Sequence, residues 1–429
     1  MKERYILLVI GLTISSILTL SGCSNNKTVD DAQINIIRNE ATEEVEKNND
    51  KLEENNVGSE NKVENNKSQA EYKIANNKSE TEYKNIEKVV EAGYESVEEF
   101  LDQEAANRAF QGVALVAVGD DIKFAKAYGY ADADGQRENT LTTRFAIASN
   151  TKQFTAAAIM QLVEQNKISL DQTIDKYFPE YKYGSIITVR QLLQMRSGIP
   201  DYLNEVEVFM KSEESLNILK DYKDDKYFDK YVEDERWSKD LILKDLNLSE
   251  LYFQPGEAYD YCNTNYYLLG LIIEQASGLS YEQYINKNLF EPAGMTTSSM
   301  KAEESDAKGH GSAESGVIKA NPDFTYSAGN IYANVYDMFR WMRAFHKGNI
   351  VSNASYDEML TPVDGYGYGV FASEGIVRHS GVIDGFNSNT EYDINSDVTI
   401  IVMENSDATT QPLDAKYDTS MIRGLITNN

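Results

Sequence analysis

The chain has 429 residues, with 41 lysines and arginines against 69 acidic residues, a formal charge of −28, two cysteines and three histidines. That charge excludes the clustered Lys and Arg that hold nucleic-acid phosphates, and two cysteines cannot build a disulfide scaffold. Three scattered histidines argue against a His-rich metal site, so no metal, cofactor or nucleic acid is expected.

Lys2 and Arg4 precede an apolar run from Tyr5 to Leu20 that ends in Leu20-Ser21-Gly22-Cys23. A basic start, an apolar stretch and small residues describe a secretory signal. The run is shorter than the ~20 residues a membrane span usually needs, although an uncleaved anchor remains the alternative. The Leu-Ser-Gly-Cys ending resembles the lipobox of bacterial lipoproteins. The resemblance implies a signal peptide over 1–22, lipidation of Cys23, and a lipid anchor to the cell membrane on its extracytoplasmic side. Cys262 then has no disulfide partner.

From Ser24 to about Glu91 the chain is rich in Asn, Lys and Glu and poor in large apolar residues. Such a segment cannot bury enough apolar surface to offset chain entropy. A nine-residue near-repeat, Asn65 to Lys73 and again Asn76 to Lys84, has too few apolar positions to form a helical seam. A polar tether over 23–92 is expected. As a coil it would span roughly 45 Å, from about 5–6 Å × √n.

Residues 93–429 read as one folded unit. Val97 to Phe110 carries helical spacing of Phe100, Leu101, Ala105 and Ala109. Val113 to Val118 and Ile122 to Tyr130 read as strands joined by a Gly119-Asp120-Asp121 turn. The middle, from about Phe154 to Met342, is mostly helical pattern. Strand patterns return at Tyr368–Phe371, Ile376–Arg378, Asn389–Tyr392 and Val398–Met403, followed by an amphipathic helix over Ala415–Ile426. Strands at both ends with helices between predict an α+β fold. One antiparallel sheet is assembled from the two ends of the chain, beside a mostly helical lobe, with a site in the cleft between them.

The most informative stretch is Arg144-Phe145-Ala146-Ile147-Ala148-Ser149-Asn150-Thr151-Lys152. An apolar run ends at Ser149 and a helix-favouring run follows, so Ser149 and Lys152, at i and i+3, share a face. The helix dipole stabilises negative charge developing on the serine. A desolvated lysine one turn on can take or relay its proton. Alone, Ser-x-x-Lys is a weak signal, equally readable as a capping serine with a solvated lysine.

Two further elements follow in order: Tyr261-Cys262-Asn263 ahead of an apolar helix, and His379-Ser380-Gly381 at the end of a predicted strand. With these, the chain resembles the beta-lactamase-related serine hydrolases: class C beta-lactamases, penicillin-binding D-alanyl-D-alanine carboxypeptidases and related esterases. Their motifs are Ser-x-x-Lys, Tyr-x-Asn and Lys/His-x-Gly. Phe110-Gln111-Gly112-Val113, Leu192 to Pro200 and Ser327-Ala328-Gly329 also match, so the resemblance covers about Phe110 to the C-terminus.

The resemblance implies Ser149 as nucleophile, Lys152 as its activator and Tyr261, as phenolate or through a hydrogen bond to Lys152, as proton shuttle. It implies Asn263, His379 and Gly381 on the substrate, and the backbone N–H groups of Ser149 and Val382 as an oxyanion hole. Losing one such donor typically costs roughly 2.7–4 kcal/mol.

Two positions depart from the lactamase pattern. Cys262 fills the middle of Tyr-x-Asn and reads as a small buried thiol rather than a nucleophile. His379 stands where class C lactamases carry lysine, and a histidine only partly charged near pH 7 weakens a clamp on a substrate carboxylate. His310 and His346 are expected at the surface. Asp134-Gly135 reads as a turn, and the acidic, Tyr-rich stretch from Glu205 to Trp237 as a solvated face near the cleft mouth.

The expected substrate is a small acyl compound: a cell-wall peptide, an ester or a beta-lactam. A D-Ala-D-Ala carboxypeptidase leads, followed by an esterase, then a beta-lactamase. A non-catalytic wall-binding or sensing lipoprotein is the alternative from another class.

Overall fold

The computed structural model describes residues 86–427, apart from 109, 133–136, 223–227, 310–320, 384 and 406–414. The expected signal, Cys23 and the tether as far as residue 85 lie outside the described residues, as do His310 and Asp134-Gly135.

In chain order the framework comprises β1 (Lys88–Val90), α1 (Glu95–Arg108), β2 (Gly112–Val118), β3 (Asp121–Tyr128), β4 (Phe145–Ala146), α2 (Thr151–Glu164), α3 (Asn263–Ser277) and α4 (Pro322–Gly329). It continues with β5 (Tyr332–Ala333), α5 (Val335–His346), β6 (Phe371–Ser373), β7 (Ile376–Ile383), β8 (Phe386–Asp393), β9 (Val398–Glu404) and α6 (Ala415–Thr427).

The sheet runs β1-β3-β2-β9-β8-β7-β6 and is antiparallel throughout. Its two halves meet where β2 pairs β9, from Gly112 opposite Glu404 to Val118 opposite Val398. The two ends of the chain therefore build one sheet, as expected.

The unbroken apolar run of β2 follows from cover on both faces. Ala114 and Val116 join Ile400 and Val402 of β9 in a cluster with Val97, Leu101, Ala415 and Ile422 of α1 and α6. Val113, Leu115 and Ala117 face the other way, into the large core of the helical lobe. Each fully buried aliphatic side chain contributes about 1.5–3 kcal/mol. The sheet is thus a partition between a two-helix layer and the lobe that carries α2 and α3.

Three details differ from the sequence expectation. Lys88–Val90, inside the expected tether, pairs with β3 as the edge strand. Its three residues are too few for a visible alternation, and the polar composition around them conceals it. The strand expected over Tyr368–Phe371 begins at Phe371, because Gly369 adopts φ +74° where the chain presses against Lys152 O. His346 is buried, not superficial: its Nδ1 lies 2.7 Å from Tyr356 Oη, and its ring stacks on Tyr392 at 4.0 Å. Helix α5 is buried along nearly its whole length, so its last turn has no open face for the ring.

Candidate active site

Ser149 lies in a single 3₁₀ turn, Ala148–Asn150, between β4 and α2. Ala148 takes φ +45°, a left-handed conformation that a non-glycine residue adopts only under constraint. The constraint is a buried polar network from β8. Ser388 Oγ donates to Ile147 O at 2.8 Å, Asn150 Nδ2 donates to Ser388 Oγ at 2.8 Å, and Thr390 Oγ1 donates to Asn150 Oδ1 at 2.8 Å. Gln153 Nε2 donates to Asn150 Oδ1 at 2.8 Å and to Thr390 Oγ1 at 3.0 Å. The start of α2 is bolted to the sheet.

Strand β7 passes directly against this turn. A Cβ on Gly381 would fall 2.2 Å from Ile147 O and 2.9 Å from Ser149 N, so only glycine permits the approach. The Gly381–Val382 peptide is thereby laid alongside the Ser149 N–H, where the family resemblance implies the oxyanion hole.

Lys152 is completely buried. Its Nζ lies 3.0 Å from Ser149 Oγ, 2.7 Å from Asn263 Oδ1 and 2.8 Å from Ala328 O. Burial pushes its pKa down to about 7, partly opposed by the negative charge of Asp201. The partners explain how the neutral amine is oriented. Asn263 Oδ1 and Ala328 O can only accept, so they take the two N–H bonds, and the lone pair is left facing the Ser149 hydroxyl. The Asn263 orientation is fixed independently, because its Nδ2 donates to Asp201 Oδ2 at 2.8 Å.

Asp201 is the residue that motif reading missed. It is 4% exposed and receives the N–H groups of Leu203, Asn204 and Asn263 at 2.8, 3.2 and 3.1 Å. Cys262, just before α3, offers no capping side chain, and the Asp201 carboxylate caps the helix in its place. A signal was available: Asp201 directly follows the Leu192–Pro200 segment. That segment braces the Tyr-x-Asn loop through Ser197 Oγ to Asn265 Oδ1 (2.6 Å) and Thr264 Oγ1 to Pro200 O (2.7 Å).

Tyr261 lies beside Ser149, and burial raises its pKa above the ordinary value for tyrosine, partly offset by the serine hydroxyl. Lys152 Nζ is 5.1 Å from its ring centroid and spends its hydrogen bonds elsewhere. No hydrogen bond joins Lys152 to Tyr261 among the described residues, and burial favours the neutral phenol over the phenolate. Cys262 is a buried free thiol, its Sγ 3.2 Å from Ile199 O and its pKa pushed up by burial, as an inert packing residue requires.

His379 departs most from expectation. It is 1% exposed, with Nδ1 2.6 Å from Ser380 O and Nε2 3.2 Å from Tyr366 Oη. Burial, reinforced by Lys152, lowers its pKa to about 3. A ring that stays neutral through the physiological range, with both nitrogens engaged, supplies no charge to clamp a carboxylate.

A cavity of about 540 Å³ adjoins the turn, lined by Ala146, Gly329, Asn330, Tyr332 and Ile383, with Glu233, Glu235 and Trp237 from the acidic stretch on its wall. Ser149 does not line it; Gly329, on which a Cβ would lie 3.7 Å from the Ala148 backbone, connects the two. Among the described residues no group of His, Cys, Asp and Glu is arranged to hold a metal ion, and no helix is long and apolar enough to cross a membrane.

A serine beside a buried lysine, at the junction of an antiparallel sheet and a helical lobe, defines a serine hydrolase of the beta-lactamase/transpeptidase fold. Residues 97–420 match the beta-lactamase family model, and the chain belongs to that family. It is 30% identical over 305 residues to the putative penicillin-binding protein PbpX of Bacillus subtilis, covering 69% of this chain and 71% of that protein. It is 28% identical over 347 residues to penicillin-binding protein 4* of the same organism, covering 73% and 71%. Among solved structures, a penicillin-binding protein from Bacillus halodurans superposes with a TM-score of 0.63 at 27% identity, covering 76% of this chain and 98% of that one.

Proposed function

We propose that this chain is an extracytoplasmic, lipid-anchored serine hydrolase of the penicillin-binding-protein type, acting on cell-wall peptides as a D-Ala-D-Ala carboxypeptidase through an acyl-enzyme on Ser149. The observation that carries the chemistry is the orientation of Lys152, with two acceptors behind it and the serine in front. The sequence relatives named penicillin-binding proteins support the substrate class.

At pH 7.4 an ordinary lysine is neutral in only about one molecule in a thousand; with its pKa near 7, most Lys152 is neutral. The amine accepts the Ser149 proton as Oγ bonds to the substrate carbonyl carbon. Charge developing on the carbonyl oxygen is met by the Ser149 and Val382 N–H groups and the N-terminal end of α2. The proton taken up by Lys152 is then returned to the leaving amine, with Tyr261 beside Ser149 to help pass it on, and the amine's bond to carbon breaks. Lys152 returns to its neutral form, ready to deprotonate the water that releases the acyl group. Asn263 keeps one Nδ2 hydrogen beyond its bond to Asp201 for the substrate amide.

The test is mass spectrometry of the protein after exposure to a fluorescent penicillin, with D-alanine release from a muropeptide measured in parallel. An adduct on Ser149 and D-alanine release are expected; absence of both removes the peptidase. An esterase of the same fold is the second reading, favoured by the neutral, buried His379, since an ester presents no terminal carboxylate. Short acyl esters turned over without a penicillin adduct would select it. The anchor is tested separately: Cys23→Ala should release the chain from the membrane fraction. A −28 chain has little electrostatic attraction to anionic lipid, so persistent membrane binding would refute the anchor.

A further inference from the structure

Helix α4 breaks its own geometry at Tyr326, which takes φ +37° and ψ −138° within Pro322–Gly329. A non-glycine residue holds such a conformation only where its surroundings impose it, and strain of this kind collects at functional sites. Two residues further on is Ala328, whose carbonyl is one of the two acceptors behind Lys152 Nζ.

Two helices hold this turn. On α2, Lys152 and Thr155 stand one helical turn apart on the same face, and they bind consecutive carbonyls. Lys152 Nζ donates to Ala328 O at 2.8 Å, and Thr155 Oγ1 donates to Ser327 O at 2.8 Å. Because the Thr155 proton goes to a carbonyl, which can only accept, the Tyr281 hydroxyl 2.6 Å away donates to Thr155 Oγ1. On α3, Ser327 Oγ donates to Tyr266 O at 2.8 Å. A Cβ on Gly270 would fall 2.1 Å from that Oγ, so only glycine lets the turn sit this close. Thr155, Tyr281 and Ser327 are each at most 1% exposed, and a satisfied hydroxyl chain at that depth fixes a single arrangement.

We propose that Thr155 is a positioning residue for the proton transfer: by holding Ser327 O it fixes the strained turn, and so keeps Ala328 O where it directs the Lys152 lone pair at Ser149. The inference deepens the acyl-enzyme reading of Ser149 and rests on it, but not on any particular acyl donor. Without the Thr155 hydroxyl, Ser327 O loses the donor that holds it, and the turn relaxes at Tyr326, carrying Ala328 O off Lys152. The ammonium then lacks an acceptor, which lowers the lysine pKa, while the neutral amine lacks the contact that aims it. More of the base is neutral, yet each neutral base works less well.

The experiment measures the second-order rate of Ser149 acylation against pH in the full chain, with p-nitrophenyl acetate and a fluorescent penicillin as probes. Wild type is compared with Thr155→Val, which keeps the shape and removes the hydroxyl, and with Thr155→Ser, which keeps the hydroxyl. In Thr155→Val the plateau should fall roughly tenfold to a hundredfold, as for a misaligned reacting group. The rising limb should move to lower pH by roughly half a unit, and Thr155→Ser should restore both. A merely structural role lowers the amount of active protein and leaves the limb in place. A Thr155→Val limb at the wild-type pH, or one moved to higher pH, therefore overturns the proposal. If Thr155→Val does not fold, Ser327→Ala, which frees the same turn from α3, is held to the same two outcomes. NMR of carbon-13-labelled lysine in Ser149→Ala, with and without Thr155→Val, follows the Lys152 titration without turnover. If wild type reacts with neither probe, the acyl-enzyme reading fails, and the NMR shift alone decides the role of Thr155.

Discussion

Lys152 and His379 both neighbour Tyr261 and receive the same treatment from the protein, yet they end in opposite roles. Both are buried, and burial lowers the pKa of both. Lysine starts at about 10.4, so the loss brings it to neutrality near pH 7, where a base is useful. Histidine starts near 6.5, and a comparable loss leaves it neutral at every physiological pH. The α2/α3 wall therefore carries a poised base, while the β7 wall carries an inert ring held by Tyr366 and Ser380. Burial alone does not make a catalytic group; the starting pKa decides what burial produces.

The largest break in this contrast should come from Lys152→Arg. A guanidinium cannot deprotonate in a protein, so acylation by penicillin or an ester should slow by roughly 100- to 10,000-fold. Wild-type rates in that variant would remove Lys152 from the chemistry. Asp201→Asn should act less strongly but more informatively. The Asp201 carboxylate favours the charged lysine, so removing it lowers the Lys152 pKa and moves the rising limb of the pH profile to lower pH, by roughly half a unit to one unit. A shift towards higher pH would contradict the electrostatics. The smallest effect belongs to His379→Gln, expected to change acylation by a few-fold and to leave the limb where it is, because a ring held at about 3 does not titrate there. Loss of a limb in that variant would make His379 the titrating group instead.

The sequence made parts of this legible for a physical reason. The Ser149–Lys152 pair was legible from its i, i+3 spacing at a helix start, whereas its meeting with Tyr261 and Asn263 was implied only by the resemblance to the beta-lactamase-related hydrolases. That strands from both ends of the folded unit build one sheet was legible, because apolar strand patterns such as Val113–Val118 and Val398–Met403 flank a mostly helical middle. Asp201 was hidden because its role depends on a contact 62 residues away in the chain, at Asn263. The state of His379 was hidden for the same reason: its pKa depends on packing by Tyr366 and Phe371, which no motif records. Glu233 and Glu235 were visible as charge, but not as the wall of a cavity whose other side comes from Asn330 and Ile383.

The most direct test of the central claim, that a neutral Lys152 is the base, is the pH dependence of Ser149 acylation in wild type. The second-order rate of acylation, by penicillin or a p-nitrophenyl ester, should rise with pH and level off with an apparent pKa of about 7. A rate that is flat from pH 5 to 9, or that goes on rising towards pH 10, would contradict it.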